Sequence, residues 1–245
     1  MGLFVPEDPD YDESRRMTGF NRYKQLLSYH ATDWIKLNLV TTAGFLPLSL
    51  GIVFSVLSSS VILLVPSSLI GGMIFGPFLA GMYDAILRGM RDDFGKWTAH
   101  YKKSWSQNLR CSLLPGALFG LFLGFFAFMG YLFWISAVPV TPGTLILYLF
   151  SLFLFLLIQT LLWPQLVLFE LPLPGRFRNI ILFSAKYLWK VLAATFLQLC
   201  WYGLLFLFAP WTLLVVPFLG FWYIILASQI ILYNSLNYEF HIEAQ

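Results

Sequence analysis

Three long stretches of the chain, 37–83, 111–169 and 191–238, carry no charged residue; they contain 47, 59 and 48 residues. At about 1.5 Å of rise per residue, a helix of the shortest run's length reaches roughly 70 Å, against a hydrocarbon core of about 30 Å. One crossing cannot use up such a run, whereas two joined by a short turn can. Each run also holds residues that break helices. The first offers two hinges, Ser58, Ser59 and Ser60 or Val65, Pro66, Ser67 and Ser68. The second offers residues 136–143, with Pro139, Pro142 and Gly143, and the third Ala209, Pro210 and Trp211. The pattern predicts six membrane-crossing helices, roughly 37–62, 67–88, 112–135, 144–169, 189–209 and 211–236. Pro47, Pro77, Pro164 and Pro217 fall inside these spans, where neighbouring helices can satisfy the freed carbonyls.

The polar segments between the runs are patterned too. Phe94, Trp97, Tyr101, Trp105 and Leu109 recur every three or four residues, an apolar stripe with Lys96, Lys102 and Lys103 off it. Before the first run, Tyr23, Leu26, Leu27, Ala31 and Trp34 form a similar stripe; before the third, Phe177, Ile180, Ile181, Leu188 and Trp189 do so, beside Arg178, Lys186 and Lys190. The expected fold is therefore all-α and polytopic: six transmembrane helices as three hairpins, each preceded by a cytoplasmic amphipathic helix. A single membrane domain covers 1–245, with an acidic tail at 1–20 and repeating units at 21–88, 89–170 and 171–245. The stripes either anchor the bundle at the lipid interface or offer a partner's helix a docking surface.

Composition agrees with lipid as solvent, since only 11% of residues are charged, against roughly 25% in soluble domains. Charge placement sets the orientation. Arg15, Arg16, Arg22, Lys24 and Lys36 precede the first span. Arg88, Arg91, Lys96, Lys102, Lys103 and Arg110 lie between the second and third, and Arg176, Arg178, Lys186 and Lys190 between the fourth and fifth. These are all 15 cations, and six spans put them on one side, which the positive-inside rule makes cytoplasmic. Both termini are then expected inside a bacterial cytoplasmic membrane. The opening MGLFVPEDPDYDESRR is acidic, lacks an apolar core and does not read as a cleaved signal peptide.

Candidate chemistry is sparse. Asp84 lies seven residues after Pro77 and Glu170 six after Pro164, both near the cytoplasmic ends of their spans. Asp84 and Arg88 stand four apart, the favourable order for an ion pair, and Glu170 has Arg176 and Arg178 close in sequence. Structural pairing is one reading of these acids and a proton or cation relay the other. Gln159, Gln198 and Gln229 are the polar residues deepest in the spans and fit bridges between helices. Cys111 and Cys200 lack metal or redox spacing, and His30, His100 and His241 form no ligand pattern. With no nucleophile–base pair or phosphate loop either, the expectation is a protein without catalysis, cofactor or nucleic-acid partner, whose partners are the bilayer and other membrane proteins.

Gly76-Pro77, Ala80, Tyr83, Arg88, Asp92-Asp93-Phe94, Tyr101, Ser104-Trp105 and Asn108 together resemble the signature of the YesL-like family of small bacterial membrane proteins. The resemblance covers roughly residues 35–125, and Asp84 departs from it, standing where an aromatic or aliphatic residue is expected. Members of that family commonly accompany carbohydrate ABC importers. The resemblance thus implies an auxiliary protein of carbohydrate uptake, a non-catalytic partner of ABC permease subunits. Its site would be the stripe Phe94, Trp97, Tyr101, Trp105 and Asn108 with the basic face of Arg88, Arg91, Lys96, Lys102, Lys103 and Arg110. The alternative is a stand-alone transporter or channel for a small solute.

Overall fold

A computed structural model describes residues 17, 19–93 and 95–242. Among these it is helical, without strands: α1 Gly19–Leu57, α2 Val61–Met90, α3 Trp97–Trp134, α4 Pro142–Leu168, α5 Leu173–Lys186, α6 Leu188–Leu207, a 3-10 turn Trp211–Leu214, α7 Val216–Leu219 and α8 Trp222–Phe240. Six segments are long and apolar enough to cross a membrane: α1, α2, α3, α4, α6, and α7 with α8 as Val216–Phe240. The protein is a multi-pass helical membrane protein.

The first turn uses Ser58–Ser59–Ser60 rather than the Pro66 hinge. Ser59 takes a left-handed φ of 49°, and Ser60 caps α2 by accepting from the Leu63 amide. Pro66 then falls inside α2. The turn between α3 and α4 ends in a reciprocal cap, Thr141 with Thr144, and Pro142 opens the helix.

The basic-aromatic stretches do not all become separate helices. Nothing breaks the backbone at Lys36 or Arg110, so the first two stretches are the leading halves of α1 (39 residues) and α3 (38 residues). Such helices reach nearly 60 Å and outrun a core of about 30 Å. The excess is the charged part, because Arg22, Lys24, Asp33 and Lys36 all precede the apolar remainder of α1. Only the third stretch is divided. Tyr187, with φ −118° and ψ 36°, interrupts the chain between α5 and α6. The expected third stripe is corrected accordingly: α5 buries Arg176, Ile180 and Phe183, while Ile181, Leu188 and Trp189 face outward.

Two packing schemes hold the bundle. Between α2 and α3 the backbones nearly touch. A Cβ added at Gly72 would lie 2.2 Å from the Gly116 carbonyl oxygen, and one at Gly120 would lie 2.2 Å from that of Ser68. In lipid the apolar effect does not drive helices together, and close approach through small residues supplies the dispersion contacts instead. The second scheme is aromatic. The buried Phe75 ring of α2 meets Phe45 of α1, Phe119 of α3 and Phe221 before α8, at centroid separations of 5.0, 5.5 and 5.6 Å. Phe119 passes the contact to Phe155 and Trp163 of α4.

The last span is discontinuous. α7 stops at Leu219 and α8 starts at Trp222. Asn38 of α1, fully buried, bridges the two helices across this break. Its Nδ2 donates to the Val216 and Pro217 carbonyls at 2.8 and 2.7 Å. Its Oδ1 accepts from the Phe221 and Trp222 amides at 2.9 and 3.2 Å.

Candidate functional site

Most of the candidate residues gather where α2 ends and α3 begins. α2 closes at Met90, and Asp92 turns the chain with a left-handed φ of 60°. Arg88 Nε donates to Asp84 Oδ2 at 2.8 Å, the pair its spacing suggested, and Arg88 Nη1 donates to Asp93 Oδ2 at 3.0 Å. One guanidinium therefore holds a buried helical acid and an acid of the link together. Arg22 arrives from α1, 70 residues away in sequence from Asp92, and its Nη2 donates to Asp92 Oδ1 at 2.6 Å and to the Met90 carbonyl at 3.0 Å. His100 Nε2 stands 3.7 Å from Asp93 Oδ1. The result is an ion-pair lock joining the charged ends of α1 and α2 to the link that leads into α3, with His100 of α3 beside Asp93. Asp84, Asp92 and Asp93 are all engaged in it.

Of the proposed stripe, Phe94 lies outside the described residues. Trp97, Tyr101, Trp105 and Asn108 are half-buried. The Tyr101 ring lies over Gly81, where an added Cβ would come within 2.5 Å of it, and Trp105 stands edge-on to Phe78 at 6.2 Å. Asn108 turns back to its own helix, Nδ2 donating to the Ser104 carbonyl at 3.1 Å. These rings pack α3 onto α2 and are not displayed outward. The opposite side of the same segment is exposed: Lys96, Lys102, Lys103 and Arg110 point away from the bundle and make no ion pair among the described residues. Arg91 is half-buried in the link.

Glu170 behaves unlike Asp84. It is exposed and makes no ion pair among the described residues, so the pairing with Arg176 or Arg178 suggested by sequence is absent. Arg176 is buried instead, its Nη2 donating to the Phe169 carbonyl at 3.2 Å where α4 ends, and Arg178 is exposed. A cation at a helix C-terminus meets the negative end of the dipole, which explains the preference. The third basic cluster is tied to α8: Lys186 and the Tyr187 hydroxyl both donate to Glu239, the latter at 2.6 Å, and Lys190 donates to Ser235 Oγ at 2.8 Å. The Glu239 carboxylate raises the Lys186 and Tyr187 pKa values, because it stabilises the protonated form of each.

Deeper in the bundle the glutamines bridge helices. Gln198 of α6 accepts from Thr160 Oγ1 of α4 at 3.1 Å and donates to Ser228 Oγ of α8 at 2.9 Å. Gln229 of α8 donates to the Thr160 carbonyl at 3.1 Å. Gln159 serves its own helix, accepting from Trp163 Nε1 at 2.6 Å. Trp163 and Trp222 belong to the core, while Trp134 is exposed.

Sequence reasoning missed Arg22 as part of the lock, Asn38 as the clamp of the broken span, and the glycine contact of α2 with α3. Only the last had a local signal, small residues four apart at Ser68, Gly72 and Gly76 and again at Ser112, Gly116, Gly120 and Gly124. No protein-family model, curated protein or solved structure matches this chain.

Proposed function

We propose that the chain is a non-catalytic accessory protein of the bacterial cytoplasmic membrane, with both termini inside. In this reading it docks subunits of a carbohydrate ABC importer through the exposed basic side of α3. The observation that carries the docking face is its electrostatic division. The acids at the end of α2 and in the link are consumed by Arg22 and Arg88, which leaves Lys96, Lys102, Lys103 and Arg110 without an ion-pair partner among the described residues. An uncompensated basic surface on a rigid helix steers anionic partners and fixes their register. The inward orientation rests on the cation count, and the identity of the partner rests on the resemblance of residues 35–125 to the YesL-like family.

The test is affinity purification of the tagged chain from native membranes in mild detergent. ABC permease subunits are expected in the eluate, and Lys96→Glu, Lys102→Glu, Lys103→Glu and Arg110→Glu together are expected to remove them. Equal recovery with the four-fold variant, or solute uptake by vesicles holding this chain alone, overturns the reading.

The second reading, a stand-alone transporter of a small solute, is favoured by one observation, the interrupted last span. Broken helices in transporters leave end groups free for a substrate or ion. Here Asn38 occupies those groups on both sides of the break, so the accessory role is the better supported of the two.

A further inference from the structure

We propose that residues 7–13 of this same chain are the resident occupant of the basic face of α3, and that a partner must displace them to dock. The proposal rests on the docking reading above and adds its regulation.

The face has a definite shape. Lys96, Lys103 and Arg110 stand seven apart, so each is two turns beyond the last and all three fall on nearly one line, about 20 Å long. Lys102 flanks that line, and Ala99, Ser106 and Gln107 complete an exposed surface without a large apolar side chain. A ligand for it must be held by charge, extended over several turns and anionic at more than one point. Apolar helices of a partner have nothing to bury there.

A segment of that description is present in the chain. Residues 7–13 contain Glu7, Asp8, Asp10, Asp12 and Glu13, five of the 12 acids in the whole sequence, with Pro9 disfavouring a helix. Asp8, Asp10 and Asp12 alternate, which in an extended backbone puts their carboxylates on one side, about 6.6 Å apart. Arg15 and Arg16 follow, so residues 1–16 still carry a net charge of −3, five acids against two cations.

The tether delivers this segment to the right place. α1 begins at Gly19, and Arg22 is fixed to the Met90 carbonyl and to Asp92. That link leads directly into Lys96 and α3. The Met17 amide donates to Gln25 Oε1 of α1 at 3.3 Å. Residue 13 is four residues from Met17 and residue 7 is ten, a reach of up to roughly 13 to 33 Å at about 3.3 Å per residue. The length of the basic line falls inside that reach. A short tether also supplies an effective concentration in the millimolar range, enough to keep a weak multipoint ionic contact formed when no partner is present. A partner must then be more anionic, or larger, than the segment it replaces.

The test uses the full chain in nanodiscs of zwitterionic lipid. Tyr11→Cys and Gln107→Cys are introduced with Cys111→Ser and Cys200→Ser, leaving every acid and cation in place, and disulfide formation between positions 11 and 107 is followed. A crosslink is expected in low salt. Its initial rate should fall about tenfold or more in 1 M salt, where charges are screened beyond about 3 Å. The same fall is expected after the four lysine and arginine reversals, and after Glu7→Gln, Asp8→Asn, Asp10→Asn, Asp12→Asn and Glu13→Gln together. A rate indifferent to salt and to both variants means chance collision of a tether and overturns the proposal. So does a face protected from labelling only when anionic lipid is added, which assigns it to the bilayer. Capture of importer subunits is scored separately. Capture with a charge-indifferent crosslink sinks the resident segment alone, and a charge-dependent crosslink without capture sinks the docking reading alone.

Discussion

Arg88 shows how a charge is made tolerable at the edge of a membrane span. Asp84 is 3% exposed, and a carboxylate so enclosed is stable only with a cation against it. Arg88 supplies that cation and reaches on to Asp93, whose side chain is 29% exposed. The two acids therefore differ in what their loss does. Arg88→Leu strands Asp84 and is expected to cost about 3–5 kcal/mol, as for a broken buried pair. Asp93→Asn removes only a partly solvated contact and is expected to cost less than about 1 kcal/mol. Replacing both Asp84 and Arg88 by Leu should recover most of the loss, since no charge is then stranded. Unfolding by SDS in mixed micelles gives the three values, and a double variant no better than Arg88→Leu contradicts this account. The pair was legible because its spacing is local. Arg22 and Asn38 were not, since each acts on residues far away in sequence, Asp92 in one case and the break near Gly220 in the other. Nothing in the residues around Asn38 says that a helix will be interrupted beside it.

At the scale of elements, the helices themselves follow from the apolar runs, but which helices meet does not. Hydropathy is alike on every face of a span. The contact between α2 and α3 is written instead in small residues, Gly72 and Gly76 against Gly116 and Gly120. A side chain at Gly72 would collide with backbone, at Gly116 and Gly120, which cannot rotate aside. Gly72→Leu is therefore expected to separate α2 from α3 and to abolish the folded monomer in detergent. Gly203→Ala provides the contrast, because nothing lies within 4 Å of its added Cβ. There the gain in helix propensity, up to about 1 kcal/mol, should leave the protein unchanged or slightly more stable. Size-exclusion profiles and thermal aggregation temperatures distinguish the two, and normal behaviour of Gly72→Leu would mean the contact is not close. The expectation of a separate amphipathic helix in each unit met a different limit. A stripe of helical period looks the same whether it ends before a span or continues into it, and the backbone interruption at Tyr187 has no counterpart at Lys36 or Arg110.

For the whole molecule, charge is divided between two ends. The connections on the far side, after α1, after α3 and between α6 and α7, contain no Lys, Arg, Asp or Glu, while every described cation precedes or follows the apolar runs at the other end. Long helices make that division mechanical as well as electrostatic. α1 and α3 extend beyond the apolar slab by roughly the length of their charged halves; Arg22 ties the α1 extension to Asp92 after α2, and Tyr101 and Trp105 pack the α3 extension onto α2. A rigid basic projection is useful to a docking protein only on the side where its partner's soluble parts reside, which gives the proposed orientation a direct consequence. With Cys111→Ser and Cys200→Ser as background, Val138→Cys in the turn between α3 and α4 should react with an impermeant maleimide added to intact cells. Gln107→Cys should react only after the cells are opened. Both positions are exposed or half-buried in turn or surface helix, so access and not burial decides the labelling. The reverse pattern puts the projection outside the cell, where no importer's ATP-binding subunits or their regulators could meet it, and removes the docking reading.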